Sequence, residues 1–310
     1  LPSLPRSMMH RVCLARRVLA SSARFFSNGV AGAASVERSP TNETMTYLGH
    51  PDRNVLLIGT AHVSKRSADE VRKAIENFKP DCVMIELCQG RVNKLRQQQH
   101  VPDISVEGVM RSLASRGPEG IMQMLSKGPM GLAGEMQALM GGGQGQGGGQ
   151  SQAGLGAMGS EFIAAIEAAE SLRIPVIPGD VPQEEILKGC VNGLFEVSLP
   201  TLLSKLASGG DMLKEMMQSM QSPTSMEQHV ESMKTRKRAE QASNSMKEFL
   251  PGVHRVLVAG RDEHMVTVLR DLPAHHKTVV AVVGMGHMAG MEEEWKLKMA
   301  NHRLPSNPGP

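Results

Sequence analysis

Aromatic side chains are scarce in this chain, at 3% of 310 residues with one Trp and one Tyr. A core must therefore be built from Met, Leu, Val and Ala, and the 23 methionines make it soft and adaptable. Cysteine is scarce too. Cys13, Cys82, Cys88 and Cys190 form no CxxC and no close ligand pair, which excludes a disulfide framework and fits a reducing compartment. Cys82 and Cys88 lie in or beside one apolar run and read as core residues. No apolar run approaches the 18 or more residues of a membrane span, so no transmembrane segment is expected.

Acidic residues are missing from the start of the chain. The first is Glu37, and Arg6, Arg11, Arg16, Arg17 and Arg24 precede it. As a helix, Met8, Val12, Ala15 and Leu19 share a stripe while Arg11, Arg16 and Arg17 sit off it. Arg-rich, acid-free and amphipathic is the composition of an organelle transit peptide, with a mitochondrion as the expected destination and a plastid as the alternative. Arg24-Phe25-Phe26 before Ser27 resembles a mitochondrial processing site. The chain opens on Leu1, and a start at Met8 or Met9 would bring the basic helix to the terminus. Removing residues 1–26 takes the formal charge from +3 to −2. The basic excess thus belongs to the leader, which argues against a nucleic-acid surface on the domain.

Two distant segments say nearly the same thing. Val55 to Gly59 runs into Thr60-Ala61-His62, and Val279 to Gly284 runs into Met285-Gly286-His287. Each is an apolar, β-branched run followed by Gly-x-x-His. A strand stopping there presents an imidazole at the carboxyl edge of a sheet, where ligands bind in open α/β folds. Ser67 to Phe78 has helical periodicity, with Val71, Ala74, Ile75 and Phe78 on one face, and Cys82 to Leu87 reads as the next strand. Strand, helix, strand within about 30 residues predicts a parallel βαβ unit. Ser160 is expected to cap a helix carrying Phe162, Ile163, Ile166 and Ala169. Ile174 to Ile177 reads as an edge strand, given Pro175 and Pro178. Arg255 to Ala259 reads as a further strand. Residues 139–160 are Gly-rich and read as a flexible loop. Residues 184–250 read as a helical, Met-rich insertion.

Polar residues follow each expected strand: His62, Glu86 with Arg91, Asp180, Arg261 with Asp262, and His287. With parallel strands, all converge on one rim. Two histidines and Glu86 make a three-ligand set for a catalytic divalent ion with an open water position. The same groups would also serve an esterase-like hydrolase without metal, with histidine as base and arginine holding an oxyanion. Glu86 could instead pair with Arg91 or Arg261, and Asp262 could cap its helix.

Taken together and in order, Gly59 to His62, Glu86-Leu87-Cys88-Gln89 with Arg91, Gly179-Asp180, Arg261-Asp262 and Val283 to His287 resemble the TraB/PrgY (GumN-like) family. The likeness runs over roughly residues 47–300, preceded by a leader at 1–38 and followed by a polar tail at 301–310. It implies a mixed α/β domain with a largely parallel sheet flanked by helices. It also implies one site, with His62, Glu86 and His287 on a divalent ion (Mn, Co or Zn) and Arg261 beside it. Glu161 matches a further recurrent acidic position. In place of the family's usual Gly-Asp-Arg and Glu-Arg-Asp stand Gly179-Asp180-Val181 and Gly260-Arg261-Asp262. Tiki relatives are metal-dependent peptidases, which makes a peptide or protein the expected substrate. Other relatives are associated with mitochondria, which makes a regulator or organelle-contact protein with a membrane-associated partner the alternative. In that case residues 139–160 and 205–250 would bind the partner.

Overall fold

The structure is a computed structural model, and it describes residues 34–60, 65–97, 123, 159–197, 201 and 235–299. His62, the leader before residue 34, most of the Gly-rich loop, the middle of the Met-rich insertion and the tail lie outside the described residues.

A six-stranded sheet forms the centre, in the order β1-β2-β3-β6-β4-β5. Its strands are β1 (Ser35–Arg38), β2 (Met45–His50), β3 (Arg53–Thr60), β4 (Cys82–Ile85), β5 (Val176–Pro178) and β6 (Thr278–Gly284). The first two are antiparallel, and the other four run parallel. The sheet is therefore mixed and largely parallel, as expected. β5 takes an edge, where its prolines cost no ladder bond. β1 is an addition: its four residues fall in the stretch read as leader, yet they pair in register with β2.

Helices cover both faces. The described ones are α1 (Lys65–Phe78), α2 (Gln89–Arg96), α3 (Ser160–Leu172), α4 (Gln183–Phe195), α5 (Arg236–Phe249), α6 (Pro251–His254), α7 (Gly260–Asp271) and α8 (Met288–Met299). Alternation along the strands splits the core. Val55, Leu57, Val279, Ala281 and Val283 pack against Met265, Val266 and Leu269 of α7 and Met288, Met291 and Trp295 of α8. Leu56, Ile58, Val280 and Val282 face Val71 and Ile75 of α1 and Phe162, Ala165 and Ile166 of α3. Two buried faces explain why β3 and β6 read as continuous apolar runs rather than alternating ones.

Two expectations are corrected. Arg255–Ala259 is not a strand but a π-helical turn, continuous with α6 before it and α7 after it. Five apolar residues cannot by themselves distinguish strand from buried helix. Ser160 is the first residue of α3 rather than its cap; Gly159 precedes it in the left-handed region, at φ 83.

The two Gly-x-x-His strands are immediate neighbours. Gly59 pairs with Val283 and Thr60 with Gly284, so both motifs leave the sheet at the same carboxyl edge.

Candidate functional site

At that edge, four of the expected residues meet. Glu86 follows β4 directly, Asp180 comes two residues after β5, and His287 ends a 3-10 turn (Met285–His287) after β6. Arg261 arrives differently. With 255–259 helical, it enters from the first turn of α7. All four side chains are buried.

Arg261 is the hub. Its Nε donates to Asp180 Oδ1 at 2.9 Å and its Nη2 to Asp180 Oδ2 at 3.0 Å, a two-pronged grip. Nη2 also donates to Glu86 Oε1, and Nη1 donates to the Leu257 carbonyl at 3.1 Å. Arg91 adds a second cation to Asp180, with Nη1 3.5 Å from Oδ2. The Val181 backbone N–H completes Asp180 at 2.9 Å, so residue 181 contributes through its main chain. Gly179 lets β5 approach this closely: a Cβ there would lie 2.7 Å from Met84 Sδ and 3.1 Å from the Ile85 carbonyl.

His287 sits between two carboxylates. Its Nδ1 is 2.6 Å from Asp262 Oδ1, and its Nε2 is 3.2 Å from Glu86 Oε1. Glu86 Oε2 accepts the Gly284 N–H at 2.6 Å. Burial works against charge on His287, but Glu86 and Asp262 outweigh it and push its pKa up to about 10, despite Arg261. Burial raises Asp262 above the usual carboxylate range, while His287 and Arg261 pull it back. Both directions describe one proton held between Nδ1 and Oδ1. Desolvation opposes the charge of Arg261, yet Asp180 and Glu86 raise its pKa. For Arg91, desolvation wins and the pKa falls, with Asp180 opposing. With His287 protonated, three cations balance three carboxylates, which is how so many charges tolerate burial.

Asp262, expected on the rim with a helix cap as its alternative reading, is on the rim and orients His287. Arg91 is likewise part of the cluster. Glu161 is fully buried in the first turn of α3. His62 lies outside the described residues.

The TraB/PrgY/gumN family model matches residues 46–128 and 196–300. The chain belongs to the TraB/PrgY/gumN family. Glu86, Arg91, Arg261, Asp262 and His287 fall within the matched segments; Glu161 and Asp180 fall between them. A TraB domain-containing protein of Bos taurus is 30% identical over 299 residues, covering 88% of this chain and 71% of that protein. One from Mus musculus is 29% identical over 300 residues, with the same two coverages of 88% and 71%. An uncharacterised protein of Methanocaldococcus jannaschii is 25% identical over 247 residues, covering 79% of this chain and 54% of its own length.

The metal implied for this TraB-family site can be tested against the donors present. An imidazole nitrogen and a carboxylate oxygen 3.2 Å apart have the spacing of two ligands on one ion, and Asp262 behind Nδ1 is the outer carboxylate such histidines carry. Among the described residues no group of three or more His, Cys, Asp or Glu forms a metal site. His287 and Glu86 are thus two donors of the right chemistry at this edge, one short of the three protein ligands of a catalytic ion.

Proposed function

We propose that this TraB-family protein is a metal-dependent hydrolase acting on peptides. The observation that carries the reading is His287 held between Glu86 and Asp262 at the edge shared by both Gly-x-x-His strands. His287 and Glu86, with His62, would hold a divalent ion (Mn, Co or Zn), which would supply a Lewis acid and acidify a bound water.

The chain's own residues prepare that place. Asp262 fixes the ring of His287 and its tautomer. Gly284 N–H and Arg261 hold the two oxygens of Glu86. Asp180, itself paired with Arg91, holds Arg261 in turn, so the guanidinium positions Glu86. The metal-free esterase reading is less well supported. It needs a histidine free to accept a proton, and both ring nitrogens of His287 face carboxylates.

The reading is tested by incubating the purified protein with a pool of internally quenched peptides and Mn2+, Co2+ or Zn2+. Cleavage that a strong chelator abolishes, and that Glu86→Gln lacks, is expected. Cleavage by neither protein under any of the three ions contradicts it.

A further inference from the structure

We propose that His276 is an acid-sensitive latch: protonating its ring loosens the turn that ties the end of α7 to the start of β6. The latch lies at the sheet edge opposite the candidate site and stands apart from the hydrolase reading.

The turn, residues 272–277, is densely bonded. Arg53, at the start of β3, donates from Nε to the His276 carbonyl at 2.9 Å. Its Nη2 donates to the Leu272 and Pro273 carbonyls at 2.7 and 3.1 Å. Asp81, just before β4, accepts the Lys277 and Thr278 N–H groups, both at 2.8 Å. The His276 N–H closes the turn on the Pro273 carbonyl at 3.0 Å. One guanidinium and one carboxylate thus hold the turn from the strands on either side of β6.

The His276 side chain is packed into this frame, and the residue is only 8% exposed. Its ring bonds to the Asp81 backbone, while Nδ1 is buried with no hydrogen-bond partner among the described residues. The bond to Asp81 therefore belongs to Nε2, and the neutral ring carries its lone pair on Nδ1. A proton added to Nδ1 becomes a buried donor with nothing to accept it, which is the costly arrangement. The charge it brings faces Arg53 and the ring of His275, whose centroid is 4.1 Å away. Among the described groups that face the ring, the Asp81 carboxylate alone favours the added charge, and its Oδ2 already accepts three hydrogen bonds. Asp52 and Asp271 face Arg53 instead. Burial, then His275, hold the His276 pKa below its ordinary 6.5, with Asp81 opposing.

As pH falls through 6.5, the unfolded chain takes a proton at this position that the folded turn resists. The turn therefore loses stability below pH 6.5, and the loss levels off once the folded ring is protonated as well. Local opening relieves the buried charge, and it frees the carboxyl end of the helix whose first turn carries Arg261 and Asp262.

The experiment follows native-state hydrogen exchange of the full chain between about pH 5 and 7.5, beside an NMR titration of its imidazoles. Wild type, His276→Gln and His275→Ala are compared through the protection factors of the Asn54, Lys277 and Thr278 amides, which bond within or onto the turn. Wild-type protection should fall by up to about tenfold per pH unit below about pH 6.5. His276→Gln can still donate to Asp81 but does not titrate, so its protection should stay level across the window. His275→Ala should keep most of the fall, and the wild-type His276 ring should titrate below 6.5. Equal slopes in wild type and His276→Gln, or a His276 that titrates at or above 6.5, overturns the inference. Should His276→Gln fail to fold, the wild-type titration decides alone.

Discussion

Asp262 Oδ1 lies 2.6 Å from Nδ1 of His287, and the space for that carboxylate is made by the absence of a side chain at Gly290. A Cβ there would fall 1.9 Å from Asp262 Oδ2. Helix α8 thus sets the orientation of a histidine three residues upstream of that glycine, through an aspartate on another helix.

Gly290→Ala should therefore behave as a site variant although residue 290 touches no ligand. It should push Asp262 off His287 and weaken Mn2+ binding by about 10–100-fold, as loss of an outer-shell carboxylate does. Asp262→Asn should match it. Calorimetric titration of the two variants checks this, and wild-type affinity in Gly290→Ala would contradict it.

Arg261→Met should be among the most destabilising single changes. It leaves Glu86 and Asp180 buried without their shared cation, at a cost of about 3–5 kcal/mol. Urea unfolding followed by circular dichroism measures it. Adding Asp180→Asn and Glu86→Gln should recover part of the loss, because the orphaned charges are then gone. A loss below about 1 kcal/mol in the single variant would show that the buried network is not held by this arginine.

The proton on His287 makes stability depend on pH. Its folded pKa is about 10 against an ordinary 6.5, so between these values the folded chain binds a proton that the unfolded chain lacks. Stability should then be fully supported below pH 6.5, fall as pH rises and be lost through about pH 10. Melting curves of the metal-free chain across that window should slope downward, and His287→Gln should flatten them. Equal slopes in both proteins would mean that the shared proton is not there.

At the opposite edge of the sheet, Arg53 caps the end of α7. Its guanidinium donates to the carbonyls of Leu269, Arg270, Leu272, Pro273 and His276, four of them at 2.7–3.1 Å. Arg53→Met should cost about 3 kcal/mol or more, since several buried carbonyls each lose a charge-assisted bond worth about 1.5–3 kcal/mol. Mn2+ binding should survive, because the site lies at the other edge. Chemical unfolding and metal titration of the same sample separate the two effects.

How much of this was legible in the sequence depends on what each residue type can signal. Strands β3 and β6 announce themselves as β-branched runs, and α1 by its periodicity. The register that makes the two strands neighbours is a long-range pairing, which local pattern does not contain. The β1–β2 hairpin was missed because the inward positions of β2 are Thr46, Leu48 and His50, which invert the usual apolar-in alternation. Thr46 is tolerated there because its hydroxyl donates to the buried Glu292 at 2.7 Å. The run at 255–259 misled because Leu257 and Val258 are buried on a helix as they would be on a strand. That error left the membership of Arg261 intact but gave it the wrong element. The partner of Asp262 was hidden for a related reason: an aspartate at a helix start also fits a cap until its tertiary contact is known.

The measurement that bears most directly on the central claim is metal content. Wild type, His62→Ala and His287→Ala would be equilibrated with Mn2+, freed of excess and analysed for bound metal, with folding checked by circular dichroism. The account predicts about one ion per wild-type chain and loss of that ion in both folded variants. Undiminished metal in both variants would contradict it.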